Sequence, residues 1–198
     1  FLYVIFLYYM RTKEKLFKQN KNRELLTLEE ISRKHKIDFE IIDSVNSDKF
    51  INLIFDKEID YVINSGNQIY SKKTLDSLGV KIINRHTSLL PEYGGIYPVF
   101  WQMLNGEKQG GVTLHWIDEQ IDEGKIAYQE KFSIEDDTSL FENYKIAFEI
   151  SLNLCNELIK DLNNGIETTK DLNKKGSYYS WPGRKEVKKF KRKKLKIV

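Results

Sequence analysis

The strongest structural signal in this chain comes from residues 82–126, which read IINRHTSLLPEYGGIYPVFWQMLNGEKQGGVTLHWIDEQIDEGKI. They open with an apolar run that ends in Asn84-Arg85-His86 and continues into a glycine-containing loop. Side chains alternate between the two faces of a strand, so a strand over 81–86 would point Asn84 and His86 to one face and Arg85 to the other. An amide and an imidazole would then project together from the carboxyl end of a buried strand, where open α/β sheets bind their ligands.

Outside this segment, strand-like runs alternate with helical patterns. The predicted strands cover 1–9, 38–43, 60–64, 81–86, 111–118 and 125–132, and the predicted helices cover 27–36, 48–57, 71–78 and 138–162. The first helix is marked by a capping box, in which Thr27 is the N-cap and Glu30 follows at the third position. Alternation of this kind is typical of βαβ units and predicts an α/β fold with a mostly parallel sheet.

The composition indicates one cytoplasmic domain. A chain of 198 residues can bury most of its unfolded surface without disulfides. Its single cysteine, Cys155, excludes a framework of paired disulfides and favours a reducing compartment. The long apolar run at 1–10 is too short to cross a hydrocarbon core, which requires about 20 residues. We therefore predict a cytoplasmic protein without a membrane partner.

The net charge of +3 is concentrated near the end of the sequence. Residues 184–196, RKEVKKFKRKKLK, hold nine Lys or Arg residues and one Glu. Such a segment can contact the phosphates of a nucleic acid, and this partner stays open. We favour the simpler interpretation, in which the segment is a solvated basic tail.

Three separated motifs resemble the catalytic core of the folate-dependent formyltransferases. Asn84-Arg85-His86 and the following Ser88-Leu89-Leu90-Pro91 are similar to the Asn-x-His-x-Ser-Leu-Leu-Pro signature of that family. Gly111-Val112-Thr113-Leu114-His115 and the run at 118–124, DEQIDEG, are similar to its two later motifs. The family includes glycinamide ribonucleotide transformylase, methionyl-tRNA formyltransferase and sugar N-formyltransferases. The resemblance implies a Rossmann-like sheet with helices on both faces.

The resemblance also implies that the protein transfers a formyl group from 10-formyltetrahydrofolate to an amino group. Attack of an amine on the formyl carbon produces a tetrahedral oxyanion, which requires preorganised hydrogen-bond donors. By resemblance, the Asn84 side-chain amide and the His86 imidazole, in its protonated form, are these donors. Asp122 is the carboxylate that would stabilise the histidinium and help to relay protons. Asn84, His86 and Asp122 are therefore the predicted catalytic residues.

Two segments resemble the walls of the folate pterin site in this family. Together they contain the predicted cofactor-binding residues Asn67, Gln68, Ile69, Tyr70, Ile117, Asp118, Gln120 and Ile121. Ser88 and His115 are the predicted substrate-binding residues, and for Asp118 we favour the simpler role of capping its own loop. A metal could bind among the histidines and aspartates, but the sequence lacks a helical His pair or a set of Cys ligands, so we predict no metal.

Two features depart from the family pattern. We take the predicted strand at 81–86 as the fifth strand of the family's sheet. The predicted strands at 60–64, 38–43 and 1–9 then correspond to its fourth, third and second strands, which predicts that the first βα unit is absent. In addition, Gly94-Gly95 replaces an Arg-Gly pair that is common in relatives. We divide the chain into a formyltransferase catalytic domain over 1–170 and an aromatic turn with a basic tail over 171–198.

The expected acceptor is a small-molecule amine, namely a nucleotide-linked amino sugar. The short chain and the aromatic segments 96–101 and 178–183 resemble the sugar enzymes more than the tRNA enzyme. Methionyl-tRNA and glycinamide ribonucleotide stay open as acceptors, as do a homodimer, a truncated formyltransferase-like protein without catalysis, and a nucleic-acid binder that uses the tail. A buried histidine is more often a core residue than a catalyst, so the interpretation of His86 depends on its flanking motifs.

Overall fold

The computed structural model describes residues 27–66, 68–172 and 175–198, which fall into two compact units that divide between Ile41 and Ile42. The strand predicted at 1–9, the absence of a first βα unit and the side chain of Asn67 all lie outside these described residues. Within them, no helix is long and apolar enough to cross a membrane.

The described part of the first unit contains helix α1 (Leu28–His35). The predicted capping box is confirmed, because the Glu30 N–H donates to Thr27 Oγ1 at 3.2 Å and the Thr27 N–H donates to Glu30 Oε2 at 2.6 Å. The helix ends where Lys36 adopts a left-handed conformation. The strand predicted at 38–43 is not found. Its alternating apolar pattern does not produce a buried face, since Phe39 and Ile41 are 40% and 71% exposed.

The second unit alternates strands and helices as predicted. Its elements are α2 (Asp48–Asp56), β1 (Tyr61–Asn64), α3 (Lys72–Leu78), β2 (Lys81–His86), β3 (Gly94–Gly95), α4 (Pro98–Asn105), β4 (Gln109–Trp116), β5 (Ile126–Ser133), α5 (Leu140–Asn163), β6 (Tyr178–Tyr179) and α6 (Arg184–Arg192). The other predicted strands and helices that fall in this unit are confirmed to within two residues at each end. Helices α4 and α6 and the short strands β3 and β6 were not predicted.

Four of these strands form one sheet in the order β1-β2-β4-β5. The β1–β2 pair is parallel, as predicted, whereas β2–β4 and β4–β5 are antiparallel. Residues 117–125 separate β4 from β5, and so short a connection cannot make the crossover of a dozen or more residues that parallel strands require. The α/β fold is confirmed, and the described part of its sheet is mixed.

Helices cover both faces of this sheet. Ile82 and Ile83 are neighbours on β2 and therefore point to opposite faces. Ile83 packs in a large core with side chains from α4 and α5, and Ile82 packs in a smaller core with side chains from α2 and α3. The carboxyl end of β2, which carries His86, is thus fixed from both sides.

The predicted basic tail contains a helix that packs on the large core. Phe190 of α6 is 1% exposed and stacks on Phe100 of α4, with ring centroids 4.7 Å apart. The basic side chains on either side of Phe190 are exposed. Upstream of α6, strand β6 pairs in parallel with β3. The domain boundary between 170 and 171 stays a prediction.

The β3–β6 pairing gives a matched pair of glycine substitutions. Gly95 has φ +92°, and a Cβ there would lie 2.1 Å from the Tyr179 carbonyl oxygen, whereas a Cβ on Gly94 would meet nothing closer than 3.4 Å. We expect Gly95→Ala to destabilise the protein by about 1–3 kcal/mol from backbone strain alone, with the clash adding to this cost. Gly94→Ala should change stability by less than about 0.5 kcal/mol. Urea unfolding measures both, and equal losses in the two variants would contradict the role of Gly95.

Candidate active site

A row of polar side chains crosses three adjacent strands. Asn64 at the end of β1 is in register with Asn84 on β2, which is in register with His115 on β4. The Asn64 Nδ2 donates to Asn84 Oδ1 at 2.8 Å, and Asn84 Nδ2 lies 3.1 Å from His115 Nε2. Strand register therefore places two carboxamides and an imidazole side by side on one face of the sheet.

Asp122 joins this row from the turn between β4 and β5. Its Oδ1 lies 3.6 Å from His115 Nε2 and 3.7 Å from His86 Nδ1. Its Oδ2 accepts the N–H of Gly95 at 2.7 Å. The structure thus brings Asn84, His86 and Asp122 into one cluster, although they come from separate segments of the sequence.

The turn that carries Asp122 depends on a close backbone approach. A Cβ on Gly124 would lie 1.8 Å from the Trp116 carbonyl oxygen, so only glycine fits there. The Trp116 N–H donates to the Lys125 carbonyl at 2.8 Å and closes the turn. Asp118 caps it, since its Oδ1 accepts the Gln120 N–H at 2.8 Å. This agrees with the simpler role that we favoured for Asp118.

Burial determines the charge of His86. Burial lowers its pKa, and the opposing effects of the Asp122 charge and the hydrogen bond with Tyr93 do not compensate. The imidazole is therefore neutral at pH 7, where we expected an imidazolium. Its Nε2 lies 2.8 Å from the Tyr93 carbonyl oxygen, which can only accept, so Nε2 carries the proton. Nδ1 is then the basic atom, and it faces Asp122.

Asp122 remains ionised at neutral pH. Burial raises its pKa, but the hydrogen bond from the Gly95 N–H and the attraction that His86 and His115 exert when protonated together hold the pKa below its ordinary value. A fixed carboxylate therefore faces the basic atom of a neutral imidazole. This arrangement favours proton uptake at His86 Nδ1, because the resulting imidazolium would lie beside a negative charge.

The lowered pKa of His86 predicts a pH-dependent stability. As the pH falls below the unfolded-state value of about 6.5, the unfolded chain takes up a proton before the folded one does, so stability is lost, by at most about 1.4 kcal/mol per pH unit. The lowered pKa of Asp122 removes further stability only below about pH 4. We expect the urea midpoint to fall between pH 7.5 and 5, and to fall less steeply in His86→Gln. Equal slopes would contradict this assignment.

A cleft of about 640 Å³ opens beside Asp122. This volume lies within the range of roughly 300–1,000 Å³ that is typical of small-molecule sites. Its lining residues are Pro91, Gly94, Gln120, Ile121, Asp122, Glu123, Leu172, Lys175, Gly176, Ser177 and Tyr178. His86 and His115 are only 6% and 2% exposed, so Asp122 is the member of the cluster that connects the buried histidines to the cleft.

The predicted cofactor-binding residues divide into two groups. Gln120 and Ile121 line the cleft. Tyr70 and Ile117 pack in or against the smaller core.

Gln68 and Ile69 hold their loop against the segment before α2. The Gln68 side chain accepts the Val45 N–H at 2.9 Å, and the Ile69 carbonyl accepts the Asn46 side-chain amide at 2.9 Å.

The predicted substrate contact of Ser88 does not fit the structure. Its side chain is 0% exposed, and its hydroxyl donates to the Glu92 carbonyl at 2.7 Å. Its own carbonyl accepts the Thr113 hydroxyl at 2.6 Å. Ser88 therefore holds the loop after β2 against β4. His115, the other predicted substrate contact, is a buried partner of Asn84 and Asp122.

Several contacts of the cluster were not predicted from the sequence. Asn64 is a polar residue at the carboxyl end of a predicted strand, the same signal that identified Asn84, and it could have been found in that way. The Tyr93 carbonyl and the Gly95 N–H are backbone groups, so the residue types do not indicate their contacts.

In the described ranges, no group of three or more His, Cys, Asp or Glu side chains is arranged to hold a metal ion.

A family model described as Formyl transferase matches residues 17–148. The chain belongs to the formyl transferase family. Methionyl-tRNA formyltransferase from Clostridium tetani is 35% identical over 122 residues, which are 61% of this chain and 39% of that protein. The chain therefore spans less than half the length of this relative.

Solved structures in the formyl transferase family show the same fold. The formyltransferase PseJ from Anoxybacillus kamchatkensis, in complex with UDP-4,6-dideoxy-4-formamido-L-AltNAc and tetrahydrofolate, is 26% identical with a TM-score of 0.58, and the match covers 68% of this chain and 69% of that one. Phosphoribosylglycinamide formyltransferase from Bacillus halodurans is 25% identical with a TM-score of 0.57, covering 65% and 70%. The predicted family and fold are confirmed.

Proposed function

We propose that this chain transfers the formyl group of 10-formyltetrahydrofolate to a primary amine. The observation that carries the proposal is the convergence of Asn84, His86 and Asp122 beside a cleft of about 640 Å³. The cleft has room for a bicyclic ring, and Gln120 and the half-exposed Ile121 give one wall both polar and apolar surface. The donor supplies the formyl carbon, and the protein supplies hydrogen-bond donors and a proton relay.

The proton relay uses Asp122 and His86. Formation of the new carbon–nitrogen bond requires the amine to lose a proton, and cleavage of the bond to the donor nitrogen requires that nitrogen to gain one. Asp122 lies between the cleft and His86 Nδ1, 3.7 Å from the latter. A proton that leaves the amine can pass along Asp122 to Nδ1 and return to the leaving nitrogen, so none is consumed. Relays of this kind contribute about 10²–10⁴ in rate.

Asn84 is the proposed donor to the developing oxyanion. Its Oδ1 already accepts from Asn64, so its Nδ2 is directed to the other side. A carboxamide nitrogen carries two hydrogens, and only one can serve His115. The second is available for the oxygen on which charge develops, and a half-buried amide is both reachable and partly desolvated. Fixed donors of this kind need no reorganisation during the reaction.

The proposed acceptor is a nucleotide-linked amino sugar. This is supported by the likeness to PseJ, whose structure contains a nucleotide-linked formamido sugar together with tetrahydrofolate. The experiment incubates the protein and 10-formyltetrahydrofolate with nucleotide-linked amino sugars, glycinamide ribonucleotide and methionyl-tRNA in parallel, and follows N-formyl product by mass spectrometry. Turnover of the tRNA alone would overturn the sugar proposal. Donor binding without any product would favour a non-catalytic formyltransferase-like protein.

Methionyl-tRNA is the second candidate because α6 exposes a basic surface. Lys188, Lys189 and Lys191 are exposed around the buried Phe190. If these side chains contact tRNA phosphates, affinity for tRNA should fall steeply as salt rises, and replacing all three by glutamine should flatten that dependence. Weak tRNA binding with the same salt dependence in the wild type and in the triple glutamine variant would exclude methionyl-tRNA as the acceptor.

A further inference from the structure

We propose that Asn64 is a positioning residue that determines which end of the Asn84 carboxamide faces the reacting oxygen. The inference depends on the proposed function, since it deepens the role of Asn84 in that reaction. Asn64 itself is not proposed to touch either substrate. It acts through one hydrogen bond, from its Nδ2 to Asn84 Oδ1 at 2.8 Å.

The orientation of Asn64 is fixed by groups whose hydrogen-bonding roles cannot be exchanged. Its Oδ1 lies 3.4 Å from the Gly66 backbone nitrogen, which can only donate, and its Nδ2 lies 3.3 Å from the Gly66 carbonyl oxygen, which can only accept. The Tyr70 hydroxyl also reaches Oδ1, at 3.5 Å. A reversed Asn64 amide would set donor against donor and acceptor against acceptor, so its Nδ2 is the group that faces Asn84.

The opposite side of Asn84 agrees with this orientation. His115 Nδ1 lies 3.2 Å from the Trp116 carbonyl oxygen, so Nδ1 carries the proton and Nε2 accepts from Asn84 Nδ2 at 3.1 Å. Asn84 is thus held between a donor on β1 and an acceptor on β4. If its amide turned over, an oxygen lone pair would replace an N–H beside the developing negative charge, and the interaction would become repulsive.

The test compares three variants of Asn64. Asn64→Asp can only accept, so it should draw Asn84 Nδ2 towards β1 and lower kcat by about 10²–10³, the effect of losing one oxyanion donor. Asn64→Ala removes the constraint without reversing it and should lower kcat about tenfold, since it costs one ordinary hydrogen bond. Asn64→Gln should fall between wild type and Asn64→Ala. The KM for 10-formyltetrahydrofolate should stay within about threefold.

This order separates positioning from packing. A side chain that only fills space would make Asn64→Ala the worst variant and the isosteric Asn64→Asp the mildest. Ser65→Asp is the charge-matched control, because it adds a carboxylate at the next, exposed position and should leave turnover unchanged. In an Asn84→Ala background, Asn64→Asp should cause little additional loss, since residues that act as one unit are not additive. Full additivity would overturn the inference.

A second measurement keeps this inference separate from the proposed function. If wild type formylates none of the amines, the proposed function fails, and kcat carries no information about Asn64. The side-chain amide signal of Asn84 in a ¹⁵N spectrum, identified by its loss in Asn84→Ala, should shift in both Asn64→Asp and Asn64→Ala. An unmoved signal would overturn the positioning role whether or not the protein is active.

Discussion

Asp122→Asn is expected to lower turnover by about 10²–10⁴, the contribution that is typical of a positioned acid–base group. Asparagine has the same size, and its side-chain oxygen can still accept the Gly95 N–H that Asp122 Oδ2 accepts at 2.7 Å. The lost property is the negative charge beside His86 Nδ1. Burial already lowers the pKa of His86, and loss of the carboxylate lowers this pKa further, so the imidazolium needed in the relay becomes costlier to form.

Steady-state kinetics with saturating donor and acceptor measures this effect. The charge-matched control is Asp136→Asn. Asp136 follows β5, its side chain is 88% exposed, and it pairs with Lys108. That control should keep wild-type turnover. The folded structure should persist in Asp122→Asn, as judged by its urea midpoint at pH 7.5. Turnover of Asp122→Asn within threefold of wild type would remove Asp122 from the relay.

Asn84→Ala is expected to lower kcat by about 10²–10³, equivalent to about 2.7–4 kcal/mol, because it deletes a donor to the developing oxyanion. Donor binding should remain near the wild-type affinity, since the amide is proposed to act on charge that appears only during the reaction. Isothermal titration with tetrahydrofolate measures binding, and single-turnover kinetics measures the chemical step. The matched control is Asn153→Ala on the exposed side of α5, which should change neither quantity.

Two outcomes would contradict this role of Asn84. A rise in KM with unchanged kcat would mean that the amide binds substrate equally well before and during the reaction. A collapse of the urea midpoint would mean that its bonds to Asn64 and His115 matter chiefly for stability. In the second case Asn84→Asp, which keeps the side-chain shape, would separate the loss of stability from the loss of the donor. A low kcat in this variant would support the donor role of Asn84.

The part of the site that lies on a single strand, β2, was predictable from the sequence. Alternation along β2 predicted that Asn84 and His86 share a face and that Arg85 points away. Arg85 does so, because its Nη1 donates to Ser151 on α5 at 3.0 Å and its guanidinium carbon lies 4.3 Å from the Phe148 ring centroid. Period-two patterning is a local property of the chain, so the sequence contains it directly.

The remaining contacts depend on how distant segments meet. Asn64 reaches Asn84 only through the register of β1 on β2, which a single sequence does not specify. The Gly95 N–H reaches Asp122 because β3 is held by β6, more than eighty residues away. Helix α6 was not predicted because its sequence is mostly Lys and Arg, and its packing depends on one buried residue, Phe190. The spacing of Val187 and Phe190, three residues apart, was the available sign of an apolar side.

The pairing of β3 with β6 has a consequence for how this protein could be altered. The Ser177 and Tyr179 carbonyls accept the N–H groups of Gly94 and Ile96, on either side of the Gly95 N–H that holds Asp122. Changes that move the backbone at 177–179 can therefore displace Asp122. Under the proposed function, directed evolution of the acceptor preference should leave these backbone contacts undisturbed and diversify Tyr178, a residue that is 59% exposed and lines the cleft.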